Sequence, residues 1–143
     1  MKYICTVLVA FCLLSCEKSD PDTPRELCGS AIIIDADRVN DPSDGFGLLE
    51  ASVEGKCLTV TIATTGCSSQ GWELDLVTSG NIAESLPTQS GARLIFTNPA
   101  AGGITCQAEI QETYVFDLSD YLTEGALPTR FTLDGTDRVL EIE

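Results

Sequence analysis

Residues 46–67, FGLLEASVEGKCLTVTIATTGC, decide the fold class of this chain. They read as two strands joined at Glu54-Gly55, the second bracketed by Cys57 and Cys67. In that second strand Leu58, Val60 and Ile62 alternate with Thr59 and Thr61, the period of a strand with one face buried. β-Branched residues dominate it, and they fit a pleated surface better than a helix, where their χ1 freedom is lost. A lone hairpin is marginal in water, so the rest of the chain has to cover its apolar face.

The rest of the chain is built of similar pieces. Residues 31–34 are a short apolar run, and residues 72–78 alternate Trp72, Leu74 and Leu76 with Glu73 and Asp75. Residues 92–97 form another strand. Residues 107–118 put Ala108, Ile110, Tyr114 and Phe116 on one face, with Glu112 as the exception. Residues 119–124 suit one helical turn, and strands at 130–133 and 138–142 flank Asp134-Gly135, a hairpin signal. Turn residues separate the pieces, as in Asn40-Asp41-Pro42 and Asn98-Pro99. About eight short strands so punctuated indicate an all-β fold: an antiparallel β-sandwich, Ig-like or similar, of about seven to eight strands. A small barrel is the other architecture that suits them.

The first sixteen residues, MKYICTVLVAFCLLSC, are of another kind. One lysine precedes an apolar run, residues 4–14, that is too short to span a bilayer. The run closes in Leu13-Leu14-Ser15-Cys16, which resembles the lipobox of bacterial lipoprotein signal peptides. The resemblance implies cleavage before Cys16 and diacylglycerol on its thiol. Two or three acyl chains there would anchor the protein stably, since a single chain binds only marginally. The implied organisation is a signal peptide at 1–15, a lipidated flexible tether at 16–27 and a β-sandwich domain at 28–143. The tether carries charge, two prolines and almost nothing apolar. The implied location is the bacterial cell envelope, membrane-attached through Cys16 and either periplasmic or surface-exposed.

Charge and histidine content exclude several functions. Asp and Glu outnumber Lys and Arg 22 to 8, for a net charge of −14. So acidic a surface repels nucleic acid and anionic membrane faces. There is no histidine, so no imidazole serves as base, shuttle or metal ligand.

Cys5 and Cys12 leave with the leader and Cys16 is acylated, so Cys28, Cys57, Cys67 and Cys106 remain. An even set in an exported chain suggests two disulfides. If Cys57 and Cys67 bracket an extended strand, about 33 Å separates them, and a disulfide needs Cα atoms within about 7 Å. That removes Cys57–Cys67 and, with it, Cys28–Cys106. If each loop then reverses the chain, Cys28 and Cys57 share one end of the sandwich and Cys67 and Cys106 the other. The expected bridges are Cys28–Cys57 and Cys67–Cys106.

The same alternation puts residues 35–45, the Cys67 loop, residues 98–105 and the Asp134 turn at the end away from the membrane. Clustered loops on a sandwich end are a common binding surface. Asp35, Asp37, Asp41 and Asp44 are the weak candidates for a metal there, with Asp134 and Asp137 at the same end. Calcium takes roughly six to eight oxygens, but the spacing does not match an EF-hand. A solvated acidic turn is the plainer reading, and no other cofactor is indicated. Trp72 belongs to the core by its alternation; the other reading is a sugar-stacking platform shared with Tyr114 or Tyr121.

As an enzyme the chain is poorly equipped, because a Ser or Cys nucleophile would lack its usual imidazole partner. Glu109 and Glu112 fall on opposite faces of their strand and form no natural pair. The expectation is a lipid-anchored binding module whose membrane-distal loops take an unknown protein or glycan, with no particular ligand-binding residue singled out. The alternatives are a small carboxylate-dependent glycan hydrolase, and an inhibitor or structural envelope component.

Overall fold

β4 (Cys57–Gly66) is the strand around which the protein is arranged. In the computed structural model, which describes residues 26–103 and 106–143, it pairs antiparallel with strands on both sides. One is β3 (Gly47–Glu54), the other β7 (Ala108–Asp117), whose register runs from Cys57↔Asp117 to Gly66↔Ala108. The other elements are β1 (Ser30–Ala31), β2 (Ile33–Ile34), β5 (Glu73–Thr78), β6 (Thr88–Thr97), β8 (Thr129–Asp134) and β9 (Val139–Ile142). Short 3-10 turns occupy Arg38–Asn40 and Glu124–Ala126. Leader, Cys16 and most of the tether lie outside the described residues.

Two sheets face one another, a four-stranded one in the order β1-β7-β4-β3 and a five-stranded one in the order β2-β5-β6-β8-β9. Leu58, Val60 and Ile62, the apolar phase of β4, meet Leu74, Leu76, Phe96, Phe131 and Leu133 between them. Each such side chain removed from water contributes about 1.5–3 kcal/mol. Buried polar groups are satisfied locally. Ser90 and Thr129 share a 2.8 Å hydroxyl–hydroxyl bond, and Thr78 Oγ1 donates to the Gly91 carbonyl at 2.8 Å.

The sandwich is mixed where the sequence suggested an antiparallel one, because β1–β7, β2–β5 and β6–β8 are parallel. β6 and β8 run the same way because the chain between them returns through β7 in the opposite sheet. The first strand does not reverse against its successor as expected. It divides between the sheets, with Ser30 and Ala31 beside Phe116 and Asp117, and Ile33 and Ile34 beside Val77 and Thr78. Ile32, between the halves, is buried and donates its N–H to the Asp117 carbonyl at 3.0 Å. Gly29 permits this approach, since a Cβ there would overlap the Val115 carbonyl.

Both expected disulfides are present, with Cα–Cα distances of 6.1 Å for Cys28–Cys57 and 4.8 Å for Cys67–Cys106. They sit at opposite ends of β4. The first holds although β1 runs with β7, because Cys28 lies against Asp117, the register partner of Cys57. We call the Cys28–Cys57 end, where the described chain begins, the near end. The Cys67–Cys106 end is the far end.

Candidate functional site

Residues 35–45 carry the four aspartates singled out by sequence, and they form a strap rather than a free loop. The Asp35 N–H donates to the Thr78 carbonyl at 2.8 Å at the near end. Arg38 then reaches Asp75 at 2.8 Å through Nη2 and Asp41 at 3.2 Å through Nε. Asp75 and then Asp41 push the Arg38 pKa above its ordinary value, holding the guanidinium charged. Arg93 Nη1 donates to the Val39 and Asp41 carbonyls at 2.7 and 3.1 Å. At the far end the Asp44 N–H donates to the Phe96 carbonyl at 2.8 Å, and Asp44 Oδ2 accepts the Asn98 N–H at 2.7 Å. The strap thus crosses the outer face of the five-stranded sheet, on which Val77 and Ile95 are buried.

This corrects the expected position of the loop. Only the Asp44 end reaches the far end, because Arg38 and Arg93 hold the middle flat on the sheet. Asp35 Oδ1 accepts the N–H groups of Asp37 and Arg38 at 2.9 and 3.3 Å, Asp41 belongs to Arg38, and Asp44 fixes Asn98. Among the described residues, no three carboxylate or thiolate groups converge on a position for a cation.

At the far end the strap delivers Phe46 into the gap between the sheets. Its ring meets Phe96 edge-on at 5.7 Å, and Phe96 meets Trp72 at 5.2 Å. Phe46 is half-buried and two hollows flank it. One, about 360 Å³, is lined by Gly47, Leu49, Ala63, Thr65 and Glu109 on the outer face of the four-stranded sheet. The other, about 370 Å³, is lined by Asp44, Leu48, Thr136 and Asp137. A register irregularity between Leu48 and Glu50 makes Leu49 an extra residue and leaves it 43% exposed. The adjacent pair Leu48-Leu49 breaks the two-residue period and was the one sign of this bulge in the sequence.

The rim combines an exposed leucine, half of a phenylalanine, hydroxyls and three carboxylates. Arg138 is the cation beside it, 3.8 Å from Asp137 and with Nη2 3.5 Å from the Leu49 carbonyl. Its four cysteines being paired and histidine absent, the described part has no thiolate or imidazole to activate a nucleophile. Trp72 is 8% exposed and Tyr121 4%, with the Tyr121 hydroxyl donating to the Asn81 carbonyl at 2.6 Å. Neither presents a face for a sugar. Tyr114 is half-buried, and its phenol is pushed above 10.0 first by burial and then by the charge of Glu112. Glu109 and Glu112 do lie on opposite faces: Glu109 lines the outer hollow, while Glu112 accepts from Ser69 Oγ at 3.3 Å.

No family model and no curated protein matches this chain. Its fold is similar to that of a crystal structure of a protein of unknown function, DUF1344, from Bacteroides vulgatus, with a TM-score of 0.54 and 16% sequence identity. The match covers 80% of this chain and 56% of that one. At that identity the likeness concerns the fold alone.

Proposed function

We propose that this protein is a lipid-anchored component of a bacterial cell envelope that binds a protein ligand through the far-end rim around Phe46. The observation that carries the reading is polarity along the long axis. The described chain begins at the near end, beside Cys28–Cys57, and the two hollows that share Phe46 lie at the opposite end. An anchor on Cys16 would therefore hold the rim away from the membrane. Disulfides suit an oxidising compartment outside the cytoplasm, in keeping with the Leu13-Leu14-Ser15-Cys16 motif. Between the two ligand classes, burial of Trp72 and Tyr121 favours protein over glycan. Leu49 beside Glu109 in one hollow, and Leu48 beside Asp44 and Asp137 in the other, suit a partner with a cationic side chain next to an apolar one.

A photo-crosslinking residue placed at Leu49 in the membrane-attached protein tests this. The control is the same residue at Leu86, 94% exposed and close to the start of β6 at the near end. The proposal expects a discrete adduct from Leu49 and none from Leu86. Equal labelling at both positions, or none at Leu49, contradicts it.

A further inference from the structure

β7 has ten residues, whereas β1, the strand beyond it, has two and pairs only with Phe116 and Asp117. Among the described residues no strand lies beside 108–115 on that side. The Asp117 carbonyl faces β1, since it accepts the Ile32 N–H. Alternation along a strand therefore turns the N–H and C=O groups of Glu109, Gln111 and Thr113 toward the same open side. The intervening residues point into the ladder with β4, which runs without a break in register from Asp117 to Ala108.

Long open edges are usually blunted by charged side chains, lysine above all, by proline, a bulge or a covering segment. Here the charges are Glu109 and the inward-facing Glu112, which repel another acidic strand but not a cationic one. Residues 108–115, AEIQETYV, contain no lysine or proline, and the β4–β7 register shows no bulge. Side chains on both faces of the edge are accessible: Glu109, Gln111 and Thr113 outside, and inside Glu112 with half-buried Ile110 and Tyr114. We propose that this edge receives an additional strand from a partner protein, an extended segment that alternates lysine or arginine with apolar residues. Backbone groups of the edge would supply the register, Glu109 on the outer face the preference for cations, and Ile110 and Tyr114 on the inner face the apolar contacts. A second copy of this chain fits poorly, because it brings the same glutamates and the same net charge of −14. This edge is separate from the rim around Phe46, and the proposal stands whether or not the protein is lipid-anchored.

The test uses the disulfide-bonded protein and an acetylated, amidated eight-residue peptide of alternating lysine and valine. A second peptide carries N-methyl groups on alternate amides, keeping the charge but blocking one edge of the added strand. Strand addition predicts slower exchange of the Gln111 and Thr113 amides on binding. It also predicts at least about tenfold weaker binding of the methylated peptide, the loss expected for two or more backbone hydrogen bonds. Glu109→Lys should transfer the preference to a glutamate–valine peptide. Gln111→Pro removes an edge donor that lies outside the β4 ladder, so the sheet should survive while binding falls. Equal binding of both peptides would overturn the proposal, leaving charge alone. So would absence of binding, or protection of Gln111 and Thr113 that grows with protein concentration without peptide, the mark of self-pairing.

Discussion

Phe96→Ala removes the middle of the aromatic column that ties the strap to the core. Phe96 is 1% exposed and meets Phe46 and Trp72 edge-on at 5.7 and 5.2 Å. Truncating a buried phenylalanine costs about 3–5 kcal/mol through lost transfer energy and the cavity left behind. Two edge-to-face contacts, each about 0.5–1.5 kcal/mol beyond area burial, place this site near 4 kcal/mol. That is a large part of the roughly 5–15 kcal/mol available to a domain. Trp72 is the sole tryptophan, so urea unfolding followed by its fluorescence reports on the column itself. With a slope near 2 kcal/mol/M the midpoint should fall by about 2 M. Phe96→Leu keeps most of the volume and should lose about 1–2 kcal/mol, largely the ring contacts. A midpoint shift under about 0.5 M at unchanged slope for Phe96→Ala would show that Phe96 does not carry the junction between strap and core.

Other consequences can be measured on the same protein. Cys67→Ser with Cys106→Ser opens a loop of sequence separation 39 and should cost about 4 kcal/mol in the chain-entropy model, read by urea unfolding. Arg93→Ala removes both hydrogen bonds to the Val39 and Asp41 carbonyls and should cost about 1–3 kcal/mol. It should also speed exchange of the Asp44 amide; unchanged protection would mean that the strap does not depend on Arg93. Burial and Glu112 raise the Tyr114 pKa, so the folded state retains that proton longer than the unfolded chain. Its stabilisation is complete below about pH 10 and declines as pH rises through the folded value. Tyr114→Phe should flatten that decline, and Glu112→Gln should lower the phenol pKa in an ultraviolet titration.

Most strands were legible because their apolar residues keep a strict period of two, as Leu58, Val60 and Ile62 do. The length of β4 removed one pairing of the cysteines, and the choice between the other two rested on an alternation of strand direction that fails at β1. Cys28–Cys57 forms all the same because Cys28 lies beside Asp117, the partner of Cys57. Strand direction was less legible. A segment as short as 30–34 has no pattern that tells which sheet it joins, and Ile32 crosses between the sheets at a place only the packed core defines. The strap was misplaced for a related reason. Turn residues at 40–45 signal a loop, but its path depends on Arg38 finding Asp75 and on Arg93 finding two carbonyls, contacts far apart in sequence. The rim around Phe46 was hidden because it is assembled from β3, β4, the strap and the β8–β9 turn, with the Leu48-Leu49 pair as its one local trace.

The proposed anchor, processing and disulfide state meet in one quantity, the intact mass of the protein extracted from bacterial membranes. Lipidation at Cys16 predicts a chain beginning at that residue, carrying diacylglycerol with or without a further acyl group, and lighter by four hydrogens for the two disulfides. A chain that retains residues 1–15, or one that begins at Cys16 with a free thiol, would contradict it.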